Sequence, residues 1–266
     1  MKQIKTFREF KAKALQKRST PFPILFIEPF TIRLAYLIQK ITLKITPTHI
    51  TIVRLLLLSP LIMALLFLAP LLEIRYLYLW AAIFFYIALF TDWLDGELAR
   101  GTGRTSNSGA FLDSIGDRFG IIIFFVLVFS VGMWNDNFLL IYGAILLFSL
   151  KTTHMIIVTM MFYYDKGKEK SKNTFFAEGP ARQALGITKV FSFIKKIHKY
   201  SGLKRWDGEI EVVEQYVITI IGISLLMYFN IEPLTTYLLY FFIIFYSLFY
   251  LFRIIPTTNN FAKRIS

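Results

Sequence analysis

Four aspartates hold most of the chemistry open to this chain: Asp92 and Asp95, three residues apart, and Asp113 and Asp117, four apart. On helices, those spacings put the members of each pair on one face. The run TDWLDGELARGTGRTSNSGAFLDSIGDRFG starts at the end of one apolar stretch, crosses a short Gly/Ser/Thr-rich turn and enters the next. So short a connection makes the two helices antiparallel neighbours, and the two pairs then face one another. Carboxylates crowded at the edge of a hydrocarbon layer repel each other and lose hydration, so they stay ionised only with compensation. Divalent cations supply it, and all-oxygen ligation points to Mg²⁺ or Mn²⁺, with carboxylates enough for two ions. Paired hard cations suit phosphoryl chemistry, because they screen a diphosphate and stabilise charge on the leaving group.

The neighbours of the aspartates fit the same work. Gly96 and Ala99 share the face of Asp92 and Asp95, and their small size lets a flat base or a ribose approach the helix closely. Arg100 offers a fork of donors for phosphate oxygens. Gly101, Gly103, Thr105 and Ser106 form a flexible polar turn, and Gly109 is bare where the next helix begins. Taken singly, each residue has a plainer role: a packing glycine, a solvated acid, a basic loop residue. Four aspartates on two facing helices are not explained that way. The chain has no cysteine, which excludes disulfides, thiolate catalysis and Cys-ligated metals.

The elements that position this run are membrane helices. The 266 residues are 56% hydrophobic with a mean hydropathy of +0.56, and the apolar residues come in long blocks. A helix crossing a bilayer needs about 20 predominantly apolar residues, because its backbone polar groups must all pair within the segment. Six stretches meet this, over roughly 50–70, 75–98, 109–133, 137–163, 212–229 and 233–255. Trp80, Trp134, Tyr76, Tyr78, Tyr228 and Tyr237 lie near their ends, where aromatic rings suit the interface between acyl chains and water. The expectation is an all-α integral membrane protein with six transmembrane helices.

The net charge of +13 is concentrated in residues 1–54 and 165–210, and the short connections near 71–75, 133–137 and 229–233 carry little of it. That asymmetry predicts cytoplasmic termini, a cytoplasmic 165–210 insertion between spans four and five, and a site facing the cytoplasm of a cell-membrane protein. Basic loops beside an anionic leaflet account for the charge, so nucleic acid is not an expected partner. Residues 1–48 read as a basic cytoplasmic segment leading into an interfacial amphipathic helix, since Pro21 to Lys44 is apolar but broken by Pro23, Glu28, Pro29, Arg33 and Lys40. The first twenty residues lack the apolar core of a signal peptide. Residues 49–266 read as the six-helix catalytic domain. In the insertion, Val190, Phe191, Ile194 and Ile197 share a helical face with lysines around it, a pattern suited to tethering on the membrane surface.

The pattern Asp92-x-x-Asp95-Gly96-x-x-Ala99-Arg100, eight residues, Gly109-x-x-x-Asp113-x-x-x-Asp117 resembles the full signature of the CDP-alcohol phosphotransferase (phosphatidyltransferase) family. Pro47-Thr48-His49-Ile50-Thr51-Ile52-Val53-Arg54 is similar to the family's Pro-Asn-x-x-Thr-x-x-Arg entry to the first span, with Thr48 replacing the asparagine and losing an amide's two donors. The resemblance implies that Asp92, Asp95 and Asp113 ligate two Mg²⁺ or Mn²⁺ ions. Asp117 would be the catalytic base, also touching one ion. Asp92, Gly96, Ala99, Arg100, Ser106 and Thr51 would hold the CDP moiety of a CDP-linked lipid donor such as CDP-diacylglycerol. A small alcohol acceptor, release of CMP and a homodimer are implied as well.

The acceptor is read from local chemistry. Asp113-Ser114-Ile115-Gly116-Asp117-Arg118 looks more like members that act on inositol phosphate than like the Asp-Pro-x-x-Asp-Lys form of glycerophosphate-type members. Arg118 and Lys151, with His154 and Arg182 behind them, are candidates to bind a phosphate on a phosphorylated polyol. Lys151, inside an apolar span, needs a partner or a cavity, and an ion pair with a motif aspartate is the alternative to acceptor binding. His49 reads as an interfacial side chain. The competing functions are a CDP-choline or CDP-ethanolamine type transferase, a membrane prenyltransferase, and an aspartate-lined cation transporter. The last has no use for the small and cationic residues beside its ligands.

Overall fold

The computed structural model describes residues 6–15, 22–42, 44–166 and 217–265, which are helical and contain no strand. Helix α1 spans Phe7–Ala14, and a π-helical turn over Pro23–Ile27 leads into α2, Glu28–Ile41. Helix α3, Pro47–Val53, continues through a π turn at Arg54–Leu58 into α4, Ser59–Leu72. Then come α5 (Tyr76–Thr102), α6 (Asn107–Trp134) and α7 (Phe138–Lys166). A π segment at Val217–Gly222 runs into α8, Ile223–Tyr228, and the last helix is α9, Glu232–Ile265. Where they are described, the apolar stretches fall on helices; residues 212–216 of the fifth lie outside the described residues. The insertion expected at 165–210 lies almost wholly outside the described residues.

Among the described residues, three helices are long and apolar enough to cross a membrane: Pro47–Leu72, Tyr76–Thr102 and Glu232–Phe252. Phe119–Trp134, Phe138–His154 and Thr219–Tyr228 are shorter apolar helices. On α2 the buried side combines Ile32 and Ala35 with Glu28, Thr31 and Gln39, and the exposed side combines Phe30, Leu37 and Ile41 with Arg33 and Lys40. Large apolar side chains beside exposed cations suit a helix at the interface between lipid and water.

The interior is apolar, and one pair of its buried hydroxyls is linked across helices. Tyr78 on α5 donates to the Ser130 hydroxyl on α6 at 2.8 Å, and Ser130 donates to the Leu66 carbonyl on α4. This chain of bonds ties three helices together in the middle of the cluster formed by Ile62, Leu66, Phe85, Leu127 and Val131. At the end where α5 begins and α6 finishes, Arg75 pairs with Glu232 at 2.9 Å and stacks over Trp134, with its guanidinium carbon 5.4 Å from the ring centre. The antiparallel run of α5 and α6 puts the aspartates at the opposite end.

Candidate active site

The site is assembled where α3, the end of α5 and the start of α6 meet. Thr46 caps α3 in a reciprocal box: its hydroxyl accepts from the His49 N–H, and His49 Nδ1 accepts from the Thr46 N–H, both at 3.4 Å. His49 therefore serves the helix terminus. Pro47 follows at the first helical position, where its fixed φ and missing N–H cost nothing. One turn on, the buried Thr51 hydroxyl lies 2.6 Å from Asp95 Oδ2 and 3.2 Å from the Pro47 carbonyl. Its single proton goes to the carboxylate, the shorter and charge-assisted contact.

The expectation that the aspartate pairs face one another is met for three of the four. Asp92, Asp95 and Asp113 each offer a carboxylate oxygen, and these atoms all lie within 4.8 Å of one another. Asp95 is buried, Asp92 is partly buried and Asp113 is exposed. That gradient suits a hard-cation site with a closed floor and an open mouth, and the all-oxygen donor set fits Mg²⁺ or Mn²⁺. Asp117 and Arg118 follow on α6, one turn beyond Asp113, and their side chains are outside the described part of the structure. Ser106 caps α6 by accepting from the Gly109 N–H at 3.0 Å, so the loop's last residue starts the helix that carries Asp113.

Sequence reasoning assigned no role to Arg54, which the structure puts at the centre of the cluster. Its guanidinium is paired with Asp92 and lies 3.4 Å from Asp113, with only 6% of the side chain exposed. It rests against Gly116, where any side chain would strike it. Arg54 opens the π turn, which Ser59 closes by donating from its hydroxyl to the Arg54 carbonyl at 3.1 Å. Such turns insert one residue into the helical ladder and often mark functional positions. The available signal was an arginine within an apolar span one turn from Thr51, since an intramembrane cation needs a partner.

Arg54 thus supplies positive charge to aspartates that would otherwise repel each other, the same service a metal ion performs. Arg54→Ala is expected to lower the melting temperature of metal-free protein by several degrees, because removing one partner of a buried ion pair strands the other. The Mn²⁺-induced rise in melting temperature should be larger in the variant than in the wild type, since the ion then relieves an uncompensated cluster. Equal Mn²⁺ shifts in the two proteins would contradict this role.

Of the residues expected to hold a nucleotide, Asp92, Gly96, Ala99 and Arg100 lie on the same end of α5, Thr51 lies on α3, and Ser106 caps α6. Arg100 folds back so that its guanidinium covers Gly96: a Cβ there would come within 2.9 Å of Nη1. Small size at position 96 therefore serves Arg100 as well as any ligand. Ala99 completes this surface one turn beyond Asp95. Farther along, the Lys151 ammonium lies 4.6 Å from the ring centre of Tyr250 on α9, and the His154 ring lies 6.0 Å from the same ring. These two acceptor candidates thus converge on one tyrosine, and Arg182 is outside the described residues.

A bundle of apolar helices with a carboxylate cluster at the junction of two antiparallel helices fits a membrane protein whose site could hold a divalent cation. Residues 44–257 match the family model described as CDP-alcohol phosphatidyltransferase, and the chain belongs to that family. It is 43% identical over 49 residues to a CDP-diacylglycerol–glycerol-3-phosphate 3-phosphatidyltransferase of Wigglesworthia glossinidia brevipalpis, covering 18% of this chain and 27% of the relative. A protein of the same name from Yersinia enterocolitica is 38% identical over 86 residues, 31% of this chain and 42% of that one. An archaetidylinositol phosphate synthase of Pyrococcus horikoshii is 39% identical over 66 residues, 24% and 35% respectively. The matched segments thus span less than half the length of these relatives.

Proposed function

We propose that the protein transfers a substituted phosphate group of phosphatidyl type from a CDP-linked lipid, such as CDP-diacylglycerol, to an alcohol acceptor, with release of CMP. The observation that carries this reading is the meeting of Asp92, Asp95 and Asp113 within 4.8 Å, beside Arg100 and Gly96, in a chain of this family. Asp92, Asp95 and Asp113, with Asp117, would hold two divalent ions. Bound Mg²⁺ or Mn²⁺ would screen the donor's diphosphate and stabilise charge on the departing CMP.

The chain's own residues do the rest. Arg100 directs guanidinium donors at the phosphates, and Thr51 holds Asp95 in its rotamer through the 2.6 Å bond. Gly96, Ala99 and Ser106 border the nucleotide. Asp117 accepts the proton of the acceptor hydroxyl as that oxygen attacks the β-phosphorus. The new P–O bond joins acceptor and lipid phosphate, the bond between the two phosphates breaks, and CMP departs with its own phosphate.

The architecture in this reading has six spans, because two short apolar helices and the region at 212–229 complete the three long ones. Both termini and the site face the cytoplasm, the 165–210 insertion tethers on that surface, and two copies form a homodimer. The acceptor is a phosphorylated polyol, inositol phosphate or glycerol 3-phosphate, recognised by Arg118, Lys151, His154 and Arg182. One kind of relative names glycerol 3-phosphate and another an inositol phosphate lipid, which supports that choice.

The test presents purified protein and CDP-diacylglycerol with a panel of acceptors: glycerol 3-phosphate, inositol phosphate, inositol, serine and choline. CMP release with one phosphorylated polyol is expected. Release with choline or serine and neither polyol would overturn the acceptor assignment.

A further inference from the structure

The role of α1 is not accounted for by the chemistry above. This short basic helix, Phe7–Ala14, packs on the end of α5 that carries the nucleotide residues. Phe10 and Ala14 are inaccessible to solvent, in one cluster with Ile32 and Ala35 of α2 and Leu94 and Leu98 of α5. The Phe10 ring sits against Gly101 so closely that any side chain at 101 would overlap it. Glycine is required at that position for contact, because its φ is that of an ordinary helical residue within α5.

The second contact is polar. Arg100 Nε donates to the Ala14 carbonyl at 2.7 Å. Ala14 is the last residue of α1, and the final carbonyls of a helix have no partner within it. Those carbonyls also carry the negative end of the helix dipole, which favours a guanidinium there. The bond therefore satisfies an orphan acceptor and holds a cation at once. It uses the Nε–H, leaving Nη1 and Nη2 over Gly96. The buried carboxylates of Glu28 on α2 and Glu97 on α5 also act electrostatically on Arg100. An arginine side chain has several rotatable bonds, and here its rotamer is set by a helix 86 residues away in sequence.

We infer that α1 is a positioning element of the nucleotide site: by docking Phe10 on Gly101 it presents the Ala14 carbonyl to Arg100 and so aims the guanidinium at the donor's diphosphate. This rests on the reading of the site as a CDP site, and the two ideas fail separately. Undocking α1 frees Arg100 to sample other rotamers, which weakens donor binding while the carboxylate cluster and the base stay in place.

The experiment uses full-length protein with Mn²⁺, titrated with CDP by calorimetry and assayed for donor KM and kcat. Gly101→Ala puts a methyl group into the Phe10 ring without disfavouring the α5 helix, in which alanine is the better helix former. Phe10→Asp undocks α1 from the other side. Both are expected to raise the CDP Kd and the donor KM about ten-fold, with kcat changed by no more than about three-fold. Phe10→Leu should restore part of the affinity to Gly101→Ala, since a smaller side chain makes room for the added methyl. CDP affinity within about two-fold of the wild type in a folded Gly101→Ala protein would overturn the inference, as would a loss confined to kcat. If Phe10→Asp does not fold, Gly101→Ala and its Phe10→Leu rescue decide alone. Failure of the wild type to bind CDP would sink the nucleotide reading of the site. CDP binding lost in Asp92→Ala but kept in both α1 variants would uphold that reading and dismiss the role of α1.

Discussion

Asp95→Ala is expected to reduce CMP release by more than about 100-fold and to abolish Mn²⁺-dependent CDP binding, because losing a direct ligand costs more than losing an outer-shell partner of one. Asp95 is the floor of the cluster, with 5% of the residue exposed, and its carboxylate is the one held by Thr51. Its removal leaves Arg54 paired with Asp92 and Asp113, so the helices keep their charge-bearing contacts and the loss should be functional. Thermal melting without metal checks that the fold survives. Calorimetry with CDP and Mn²⁺, alongside the CMP assay, checks the rest. Unchanged Mn²⁺-dependent CDP affinity in this variant would remove the aspartate cluster from the ligand set and with it the proposed chemistry.

Asp117→Asn separates base from ligand. Asparagine keeps the size of the side chain and an acceptor oxygen but cannot take a proton at neutral pH, and general-base catalysis contributes about 10²–10⁴-fold. Turnover should fall by that factor, with the CDP Kd within about three-fold of the wild type. The measurement is paired: steady-state CMP release, and CDP titration with Mn²⁺ present. Equal loss of rate and affinity would leave Asp117 a metal ligand alone, with the base to be found elsewhere near the mouth of the site. The exposure of Asp113, one turn earlier on the same helix, shows that α6 approaches that mouth.

The two experiments bear on different helices. Asp95 tests what α5 buries, whereas Asp117 tests what α6 brings to a substrate arriving from outside. Between them stands Arg54, which contacts an aspartate from each helix and has no counterpart in the metal-ligand reading of the motif. If the cluster holds metal as proposed, this built-in cation would let the metal-free protein fold without unscreened carboxylates at Asp92 and Asp113, and an incoming ion would have to compete with it or share its charge.

Much of this was legible without coordinates because the signals are local or periodic. The helices follow from runs of apolar residues long enough for a bilayer. The convergence of Asp92, Asp95 and Asp113 follows from helical spacing on either side of a turn too short for anything but an antiparallel return. The caps at Ser106 and Thr46 sit where such residues start helices, though His49's part in the second is a detail of geometry. The expectation of a hard divalent cation rests on oxygen donors and the absence of cysteine.

The helical class, the apolar composition and the carboxylate cluster are thus written in the chain, since each rests on period, length or the chemistry of a residue type. Which cation stands among the carboxylates and what holds Arg100 depend on long-range packing. Arg54 reaches Asp92 and Asp113 because a π turn and the bare Gly116 admit it. Arg100 reaches the Ala14 carbonyl because Phe10 finds room at Gly101. Both contacts join residues dozens of positions apart, and no repeat or spacing encodes them: they exist only when glycines on one helix and bulky side chains on another are packed face to face.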